Sequence, residues 1–221
     1  MNEYFFHDDV TPKQMDWLWA HGWRHFGSYF YRYSGTRHRD RPVSVLPLRI
    51  DLENFQASRS QRRVLKRNTD LRISFVPAFV DDEVTELFER HKTRFSDNVP
   101  ASIYTFISER PADLPCTCQS LCLHLDERLI GISYLDIGEG ATSSVYQCFD
   151  PGLPRRSLGV LMVLLSIERT RALGKPLYYP GYAYAEASHY DYKKNFAGLE
   201  AFDWRGGWQR LPRAVPAAVT T

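Results

Sequence analysis

The stretch LIGISYLDIGEGATSSVYQCFDPGLPRRSLGVLMVLLSIERTRAL, residues 129–173, decides the fold. Residues 129–137 and 142–149 are rich in β-branched, aromatic and other apolar side chains, and they predict two strands. Residues 157–173 predict a broadly apolar helix, which Gly174 ends. Because a helix that is apolar on most sides must be covered by other elements, this stretch is expected to form the centre of the core.

Predicted elements on either side extend this stretch into a longer pattern. Residues 121–125 predict a strand that pairs with 129–137 as a hairpin around Asp126 and Glu127. The other predicted elements are a strand at 71–76, a helix at 81–95, a strand at 177–181, a short helix at 188–196 and a strand at 199–204. The order hairpin, strand, loop, helix, strand, helix, strand resembles the core of the GNAT acyltransferases. That resemblance implies an α+β fold in which helices flank a mixed β-sheet, although a fold alone does not specify the chemistry.

A small N-terminal α/β unit is expected before this core. Residues 11–14 (TPKQ) form a capping box with Pro at the first helical position, and the short helix that they begin stops at Gly22. Strands are predicted at 28–33 and 43–52, with a polar, basic loop at 35–41 between them. The expected division is 1–55 for the N-terminal unit, 56–210 for the GNAT-like core and 211–221 for a disordered tail.

Composition limits the classes of protein to which the chain can belong. It has 221 residues, of which 43% are hydrophobic, and a formal net charge of +2, so any affinity for nucleic acid must come from a local patch. The opening MNEYFFHDDV lacks the basic segment of a signal peptide, and the longest apolar stretch, 158–167, is far shorter than the roughly 20 residues that span a bilayer. We therefore expect a cytoplasmic protein that does not contact membranes.

The four cysteines lie at positions 116, 118, 122 and 148. Their C-x-C-x3-C spacing differs from the C-x2-C pairs of zinc knuckles, so reduced thiols are favoured over a metal site. Cys122 and Cys148 are expected inside strands. Neither a metal nor a cofactor is expected.

A second motif, SRSQRRVLKRNTDLR at 58–72, predicts a helix with one cationic face. Ser58 and Gln61 form a capping box, and the basic side chains that follow have the i, i+3, i+4, i+7, i+8 spacing of one helix face. We call this set the basic face: Arg59, Arg62, Arg63, Lys66 and Arg67. Only Asp70 offsets these charges, and guanidinium groups near a helix N-terminus suit a row of phosphates, although a solvated surface helix is the alternative.

The loop before the central helix tests which acyl donor is used. GNAT acetyltransferases bind the pyrophosphate of CoA with a Q/R-x-x-G-x-G/A loop, and the corresponding residues here are RSLGVL at 156–161. Arg156 and Gly159 match the pattern, whereas Leu161 stands where a small residue is expected. We therefore expect a GNAT core that does not use CoA, and an amino acid esterified to tRNA would explain both this loop and the basic face.

The sequence resembles the C-terminal domain of the arginyl-tRNA–protein transferases and their bacterial leucyltransferase relatives. The resemblance covers about residues 45–205 and depends on LRIDLENFQASRSQRRVLKRN at 48–68, SSVYQCFDP at 143–151, RSLG at 156–159, Gly181-Tyr182 and Tyr192-Lys193. It implies transfer of an amino acid from its tRNA to the N-terminal amine of an acceptor, commonly one that begins with Asp or Glu, which marks the acceptor for degradation. Family members usually carry an N-terminal cysteine cluster, and this chain has none.

Three residues are candidates for catalysis. Asp136 ends a predicted strand and matches an acid of the family pattern. It is proposed to face the cleft and to orient or deprotonate the acceptor amine, with a turn-capping role as the alternative. Tyr146 is expected to share one strand face with Ser144 and Cys148 and to donate to an oxyanion, unless it is a core residue. Lys193 is expected to hold the terminal phosphate or an acidic acceptor side chain, unless it is a surface lysine packed on Tyr192.

Other residues are candidates for substrate binding. Tyr179 and Tyr182 belong to a tyrosine-rich run suited to stacking on the terminal adenine, and Asp150 suits the aminoacyl ammonium or a turn. His189 precedes Tyr192 on the same predicted helix face and is a weak candidate. The predicted substrate-binding residues are Ser144, Asp150, Tyr179, Tyr182 and Tyr192, and the predicted tRNA-binding residues are those of the basic face and Arg156.

We expect an enzyme with aminoacyl-tRNA and a protein or peptide acceptor as partners, and no DNA. Arg-tRNA is favoured as donor and Leu-tRNA is possible. The alternatives are an acetyl-CoA-type N-acyltransferase and a non-catalytic tRNA-binding protein.

Overall fold

A computed structural model describes residues 1–38, 40–96, 99–188 and 190–211. Within these ranges the chain forms two sheets and four α-helices, and three short 3-10 helices lie at 103–105, 154–156 and 191–195. The helices are α1 Pro12–Ala20, α2 Arg59–Arg67, α3 Asp82–Lys92 and α4 Leu158–Ala172. The strands are β1 Asn2–Phe6, β2 Arg24–Phe26, β3 Tyr29–Tyr33, β4 Gly35–His38, β5 Arg41–Asp51, β6 Arg72–Pro77, β7 Cys118–Leu125, β8 Arg128–Ile137, β9 Ala141–Phe149, β10 Leu177–Tyr184, β11 Leu199–Phe202 and β12 Trp208–Arg210.

The large sheet has nine strands in the order β12-β11-β5-β10-β9-β8-β7-β6, with β4 paired to β5. Every pairing in it is antiparallel except that of β9 with β10, so the sheet is mixed. A parallel pair needs a crossover connection, and α4 provides it. The expected α+β fold is therefore confirmed.

Helices cover both faces of this sheet. On one face α4 buries Met162, Leu164 and Ile167, and α2 packs against α4. On the opposite face α3 buries Leu87 and Phe88. The near-uniform apolarity of α4 is explained by this position, because it is enclosed by the sheet and by α2.

The N-terminal residues form a second, three-stranded sheet in the order β1-β3-β2. The capping box of Thr11 and Gln14 begins α1 as expected. Strand β5, expected within the N-terminal unit, instead pairs with β10 and β11 in the large sheet, so residue 55 does not mark the division between the two sheets.

Three local expectations were wrong. Residues 35–38, expected in a loop, form β4, because their backbone pairs with Arg41 to Ser44 in a tight hairpin. The helix expected at 188–196 is a 3-10 helix at Asp191–Asn195. Strands β1, β2 and β12 were not predicted, because short edge strands with mixed polarity lack a clear period of two. The tail from residue 212 and His189 lie outside the described residues.

No helix within the described ranges is long and apolar enough to cross a lipid bilayer.

Candidate active site

Strands β9 and β10 separate part-way along their length, and we call the space between their unpaired segments the cleft. The two parallel strands pair only from Ala141 with Leu177 to Ser143 with Tyr179. Beyond that point β9 contains a bulge at 145–146 and β10 one at 179–180, visible as register shifts against their other neighbours. Bulges bend strands and increase their twist, so the two strands diverge. Their unpaired segments form the walls of the cleft.

Arg24 enters the cleft from the small sheet. Its guanidinium donates to the Ser143 hydroxyl and to the Ser144 carbonyl oxygen, both on β9 where pairing with β10 ends. These contacts hold a cation across the gap that the diverging strands leave. Sequence reasoning missed Arg24, because a single arginine in a short aromatic strand carries no local signal.

Lys193 meets Arg24 from the other side of the cleft. Its ammonium donates to the Tyr182 carbonyl oxygen at 3.2 Å and lies 5.2 Å from the centre of the Tyr190 ring. Gly181 has a φ of +96°, and a Cβ there would lie 3.2 Å from Lys193 Nζ and 3.8 Å from Arg24 Nη2. Glycine therefore permits both the backbone conformation and the close approach of two cations.

The environment of Lys193 changes its charge state. Lys193 is half-buried. Burial, followed by the positive charge of Arg24, lowers the pKa of Lys193 to about 7. We call Arg24 and Lys193 the cleft cation pair. Among the described residues, neither makes an ion pair with a carboxylate.

Three predicted substrate-binding residues line or support the cleft. The Tyr182 hydroxyl donates to the Gly22 carbonyl oxygen at 2.5 Å, and the Tyr192 hydroxyl accepts from Gln147 Nε2 at 3.1 Å. The Ser144 hydroxyl lies 2.7 Å from that of Tyr178. These bonds fix the walls of the cleft on both strands. The predicted binding roles of the three residues stay predictions.

Tyr146 does not share a face with Ser144, contrary to expectation. The bulge turns both Val145 and Tyr146 toward the α3 face, whereas Ser144 contacts Tyr178 on the α4 face. The Tyr146 ring stacks on Phe106 at 4.0 Å with an interplanar angle of 7°. Its buried hydroxyl has no hydrogen-bond partner among the described groups, and burial raises its pKa. Its role as an oxyanion donor stays a prediction.

Asp136 is buried on β8, opposite Ser143 of β9. The residue is only 1% exposed, and its Oδ2 lies 2.6 Å from His25 Nε2. The expectation that this strand-end carboxylate faces the cleft was wrong, because the β2 strand covers the end of β8. His25 was missed by sequence reasoning, since it is far from Asp136 in the chain.

The basic face is exposed along its whole length. All five of its side chains are exposed, while Gln61 is buried and Val64 and Leu65 pack inward. Gln61 Nε2 donates to the Asn195 carbonyl oxygen at 3.3 Å, two residues from Lys193. Helix α2 therefore carries the basic face and, through Gln61, also contacts the segment that contains Lys193. A cationic surface next to a cleft with two half-buried cations suits a large polyanion with a reactive end.

Comparison with known families agrees with this arrangement. The family described as arginine-tRNA-protein transferase matches through its N-terminal region at residues 2–63 and through its C-terminal region at residues 83–203. The chain belongs to this family. The expected resemblance and the expected enzyme class, an aminoacyltransferase, are thereby confirmed.

Individual relatives are also similar. A protein of Marinobacter nauticus named aspartate/glutamate leucyltransferase is 32% identical over 210 residues, which cover 91% of this chain and 84% of the relative. A protein of the same name from Ruegeria pomeroyi is 36% identical over 173 residues, covering 76% of this chain and 63% of that one. Among solved structures, a GCN5-related N-acetyltransferase from Kribbella flavida is 16% identical and superposes with a TM-score of 0.41. The matched region covers 72% of this chain and 55% of the acetyltransferase chain.

Two predicted substrate-binding residues make other contacts within the fold. Tyr179 is 3% exposed and packs between Trp19 and Trp208, so it cannot stack on a terminal adenine as expected. Asp150 accepts from the Gly152 amide at 2.8 Å and pairs with Arg128 at 3.1 Å. The alternative reading of Asp150 as a turn residue therefore describes its contacts.

Arg156 is neutralised by a carboxylate. Its guanidinium donates to both oxygens of Asp70 at 2.9 and 2.8 Å, and hydrogen bonding to this guanidinium lowers the pKa of Asp70. The pair links the residues after α2 to the loop before α4. Arg156 is therefore paired within the chain, and its role in tRNA binding stays a prediction.

Leu161 does not block the start of α4, as the loop comparison had suggested. Its side chain is 1% exposed and packs into the core with Leu121 and Leu123. A side chain at this helical position points toward the sheet, away from any ligand at the N-terminus of α4. The motif mismatch therefore reflects core packing, and it does not by itself exclude CoA.

Proposed function

We propose that the protein transfers an amino acid from aminoacyl-tRNA to the N-terminal amine of an acceptor protein or peptide that begins with Asp or Glu. The observation that carries this proposal is the cleft cation pair. Two cations held together in a partly desolvated cleft repel each other, and an entering carboxylate relieves that repulsion. The side chain of an N-terminal Asp or Glu would bring such a carboxylate beside its own reactive amine.

The reaction needs alignment more than activation of the ester. The acceptor nitrogen attacks the ester carbonyl, a C–N bond forms, the bond from that carbonyl to the ribose oxygen breaks, and the amine proton ends on the ribose hydroxyl. A carboxylate bound by Arg24 and Lys193 would hold the amine within one residue's length of the cleft. The divergence of β9 and β10 leaves room for the ester between them.

We further propose leucine, rather than the arginine favoured from sequence, as the transferred residue. Any aminoacyl group carries an α-ammonium, but an arginyl group would bring a second positive charge, its guanidinium, next to the cleft cation pair. Among the described residues, Arg24 and Lys193 have no carboxylate partner that would compensate such repulsion. The printed names of the bacterial relatives support leucine as well.

The basic face is proposed to bind the tRNA backbone. Its exposed cations lie on the helix that contacts Asn195 through Gln61, so a bound acceptor stem would lead toward the cleft. In this arrangement the added residue would mark the acceptor for degradation in the cytoplasm, as the family resemblance implies.

The test is a transfer assay with separately labelled donors and matched acceptors. Purified protein is incubated with Leu-tRNA, Arg-tRNA or acetyl-CoA and with peptides that differ only in a first residue of Asp, Glu, Asn or Ala. Transfer from Leu-tRNA to the Asp and Glu peptides, at least tenfold above the isosteric Asn peptide, is expected.

Three results would each contradict part of the proposal. Transfer from Arg-tRNA alone would reject leucine, and acetyl transfer without aminoacyl transfer would favour the acetyl-CoA-type enzyme. Tight tRNA binding with no transfer from any donor would indicate a non-catalytic tRNA-binding protein.

A further inference from the structure

One buried cluster contains three potential metal ligands. It contains the imidazole of His25, the thiol of Cys116 and the carboxylate of Asp136, whose ligand atoms all lie within 4.8 Å of one another. The three residues are 6%, 4% and 1% exposed. They come from β2, from the segment before β7 and from β8, so the tertiary structure alone brings them together.

The orientation of His25 is suited to metal binding. Its Nδ1 lies 2.9 Å from the Gly27 carbonyl oxygen, which can only accept, so Nδ1 carries the hydrogen. Since Nδ1 carries a hydrogen, the 2.6 Å contact between Nε2 and Asp136 Oδ2 needs a proton between these two atoms, and a bound metal ion would take the place of that proton. A second ring nitrogen held by a backbone carbonyl is the usual support for a histidine that binds zinc. The alternative is a protonated His25 that forms an ion pair with Asp136.

The thiols distinguish this cluster from a simple ion pair. Cys116 and Cys118 are both buried and lie beside the Asp136 carboxylate. An imidazole, a carboxylate and one or two thiols, enclosed together, form the N, O and S donor set that zinc prefers. A bound divalent cation would stabilise a thiolate in a position where burial otherwise opposes it.

We propose that His25, Cys116 and Asp136 bind a zinc-class divalent metal ion, with Cys118 as the candidate fourth ligand. Around a tetrahedral ion the distance from His25 Nε2 to Asp136 Oδ2 would lengthen to about 3.3 Å, which needs only a small side-chain rotation. The ion would fasten β2 to β8. Since Arg24 precedes His25, it would also hold one member of the cleft cation pair in place.

The first test measures metal on the unmodified protein. Protein purified without added chelator is expected to contain about one zinc per chain by inductively coupled plasma mass spectrometry. After removal of the metal, loading with Co²⁺ is expected to produce a thiolate-to-cobalt charge-transfer band and the visible absorption of a tetrahedral site. A full-length protein that takes up neither zinc nor cobalt would overturn the proposal and leave the His25–Asp136 ion pair.

The second test assigns the site with matched cysteine variants. Cys116→Ala is expected to abolish the charge-transfer band or to weaken cobalt binding at least tenfold. Cys122→Ala removes another buried cysteine, in the middle of β7, and is expected to leave the band and the metal content unchanged. An unchanged band in Cys116→Ala, or an equal loss in both variants, would overturn the assignment. Should Cys116→Ala not fold, the cobalt spectrum of the unmodified protein still decides whether a thiolate binds the metal.

Discussion

The basic face of α2 and the cleft cation pair both consist of positively charged side chains, but the first are exposed and the second are half-buried. The basic face places five exposed cations in one continuous stretch of sequence, and each is solvated and screened by salt. The cleft cation pair brings Arg24 and Lys193 together from distant segments, and burial lowers the pKa of Lys193 to about 7. A run of basic residues in the sequence therefore predicts a surface for a polyanion. Partly desolvated cations brought together by the fold instead predict a site that selects a particular anion.

The largest effect is expected from removing a member of the cleft cation pair. Lys193→Met keeps the length of the side chain but removes the charge, so transfer to an Asp-initiated peptide should fall about 100-fold in kcat/KM. Affinity for tRNA, measured by filter binding, should change less than about twofold, because the basic face is intact.

Lys194→Met is the matched control for this variant. The Lys194 ammonium pairs with Asp191 at 2.9 Å rather than with the cleft. Transfer should remain near the level of the unmodified protein. Equal losses in the two variants would mean that Lys193 has no special place in the reaction.

A second prediction concerns pH. Lys193 is charged below its pKa of about 7 and neutral above it, so its attraction for an acceptor carboxylate is present at low pH and lost as pH rises. The ratio of kcat/KM for Asp-initiated over Ala-initiated peptide should fall up to about tenfold per pH unit above 7. Both peptides have an N-terminal amine, so taking the ratio removes most of the pH dependence that comes from titration of that amine.

Lys193→Arg is the control variant for this pH dependence. A guanidinium stays charged throughout the range, so the Asp-to-Ala ratio should become independent of pH. A ratio that rises with pH in the unmodified protein would contradict carboxylate binding by Lys193.

Changes to the basic face should have smaller effects, and these should depend on salt. If about four or five phosphates are contacted, log K for tRNA should fall with log salt at a slope of about −3 to −4. Arg62→Ala and Arg63→Ala should each flatten this slope by about one unit while leaving the reaction of bound tRNA unchanged. Single-turnover transfer at saturating tRNA separates the two quantities, and a binding constant insensitive to salt would be inconsistent with the proposed role.

The smallest effect is expected for Arg156→Ala. Because Asp70 already neutralises Arg156, its removal should leave the salt slope of tRNA binding unchanged, unlike Arg62→Ala. A slope flattened by a full unit would show that the ion pair opens to bind phosphate. The same measurement therefore distinguishes exposed cations that are available from cations that are paired.

Much of the fold could be predicted because its signals are local. The apolar helix at 158–172, the hairpin that precedes it and the capping box of α2 follow from periodicity and from turn and cap residues. The edge strands β1, β4 and β12 were missed, since backbone pairing with a neighbour, rather than side-chain pattern, creates them.

The candidate site was less predictable. Lys193 was singled out from sequence, and it does lie at the cleft. Asp136 is buried rather than exposed to the cleft, and Tyr146 does not share a strand face with Ser144. The covering β2 strand encloses Asp136, and a bulge in β9 breaks the alternation on which the reading of Tyr146 depended. Neither feature has a signature in the residues concerned.

The sequence by itself determined the α+β order of elements, the exposed basic face and membership of the transferase family, because each depends on residues close together in the chain or on ordered motifs. Only the tertiary structure decided that Arg24 meets Lys193, and that His25, Cys116 and Asp136 form one buried cluster. The physical reason is that local periodicity sets which way a side chain points within its own element. How far β9 and β10 diverge, and which charges become desolvated between them, depends on the packing of the whole chain.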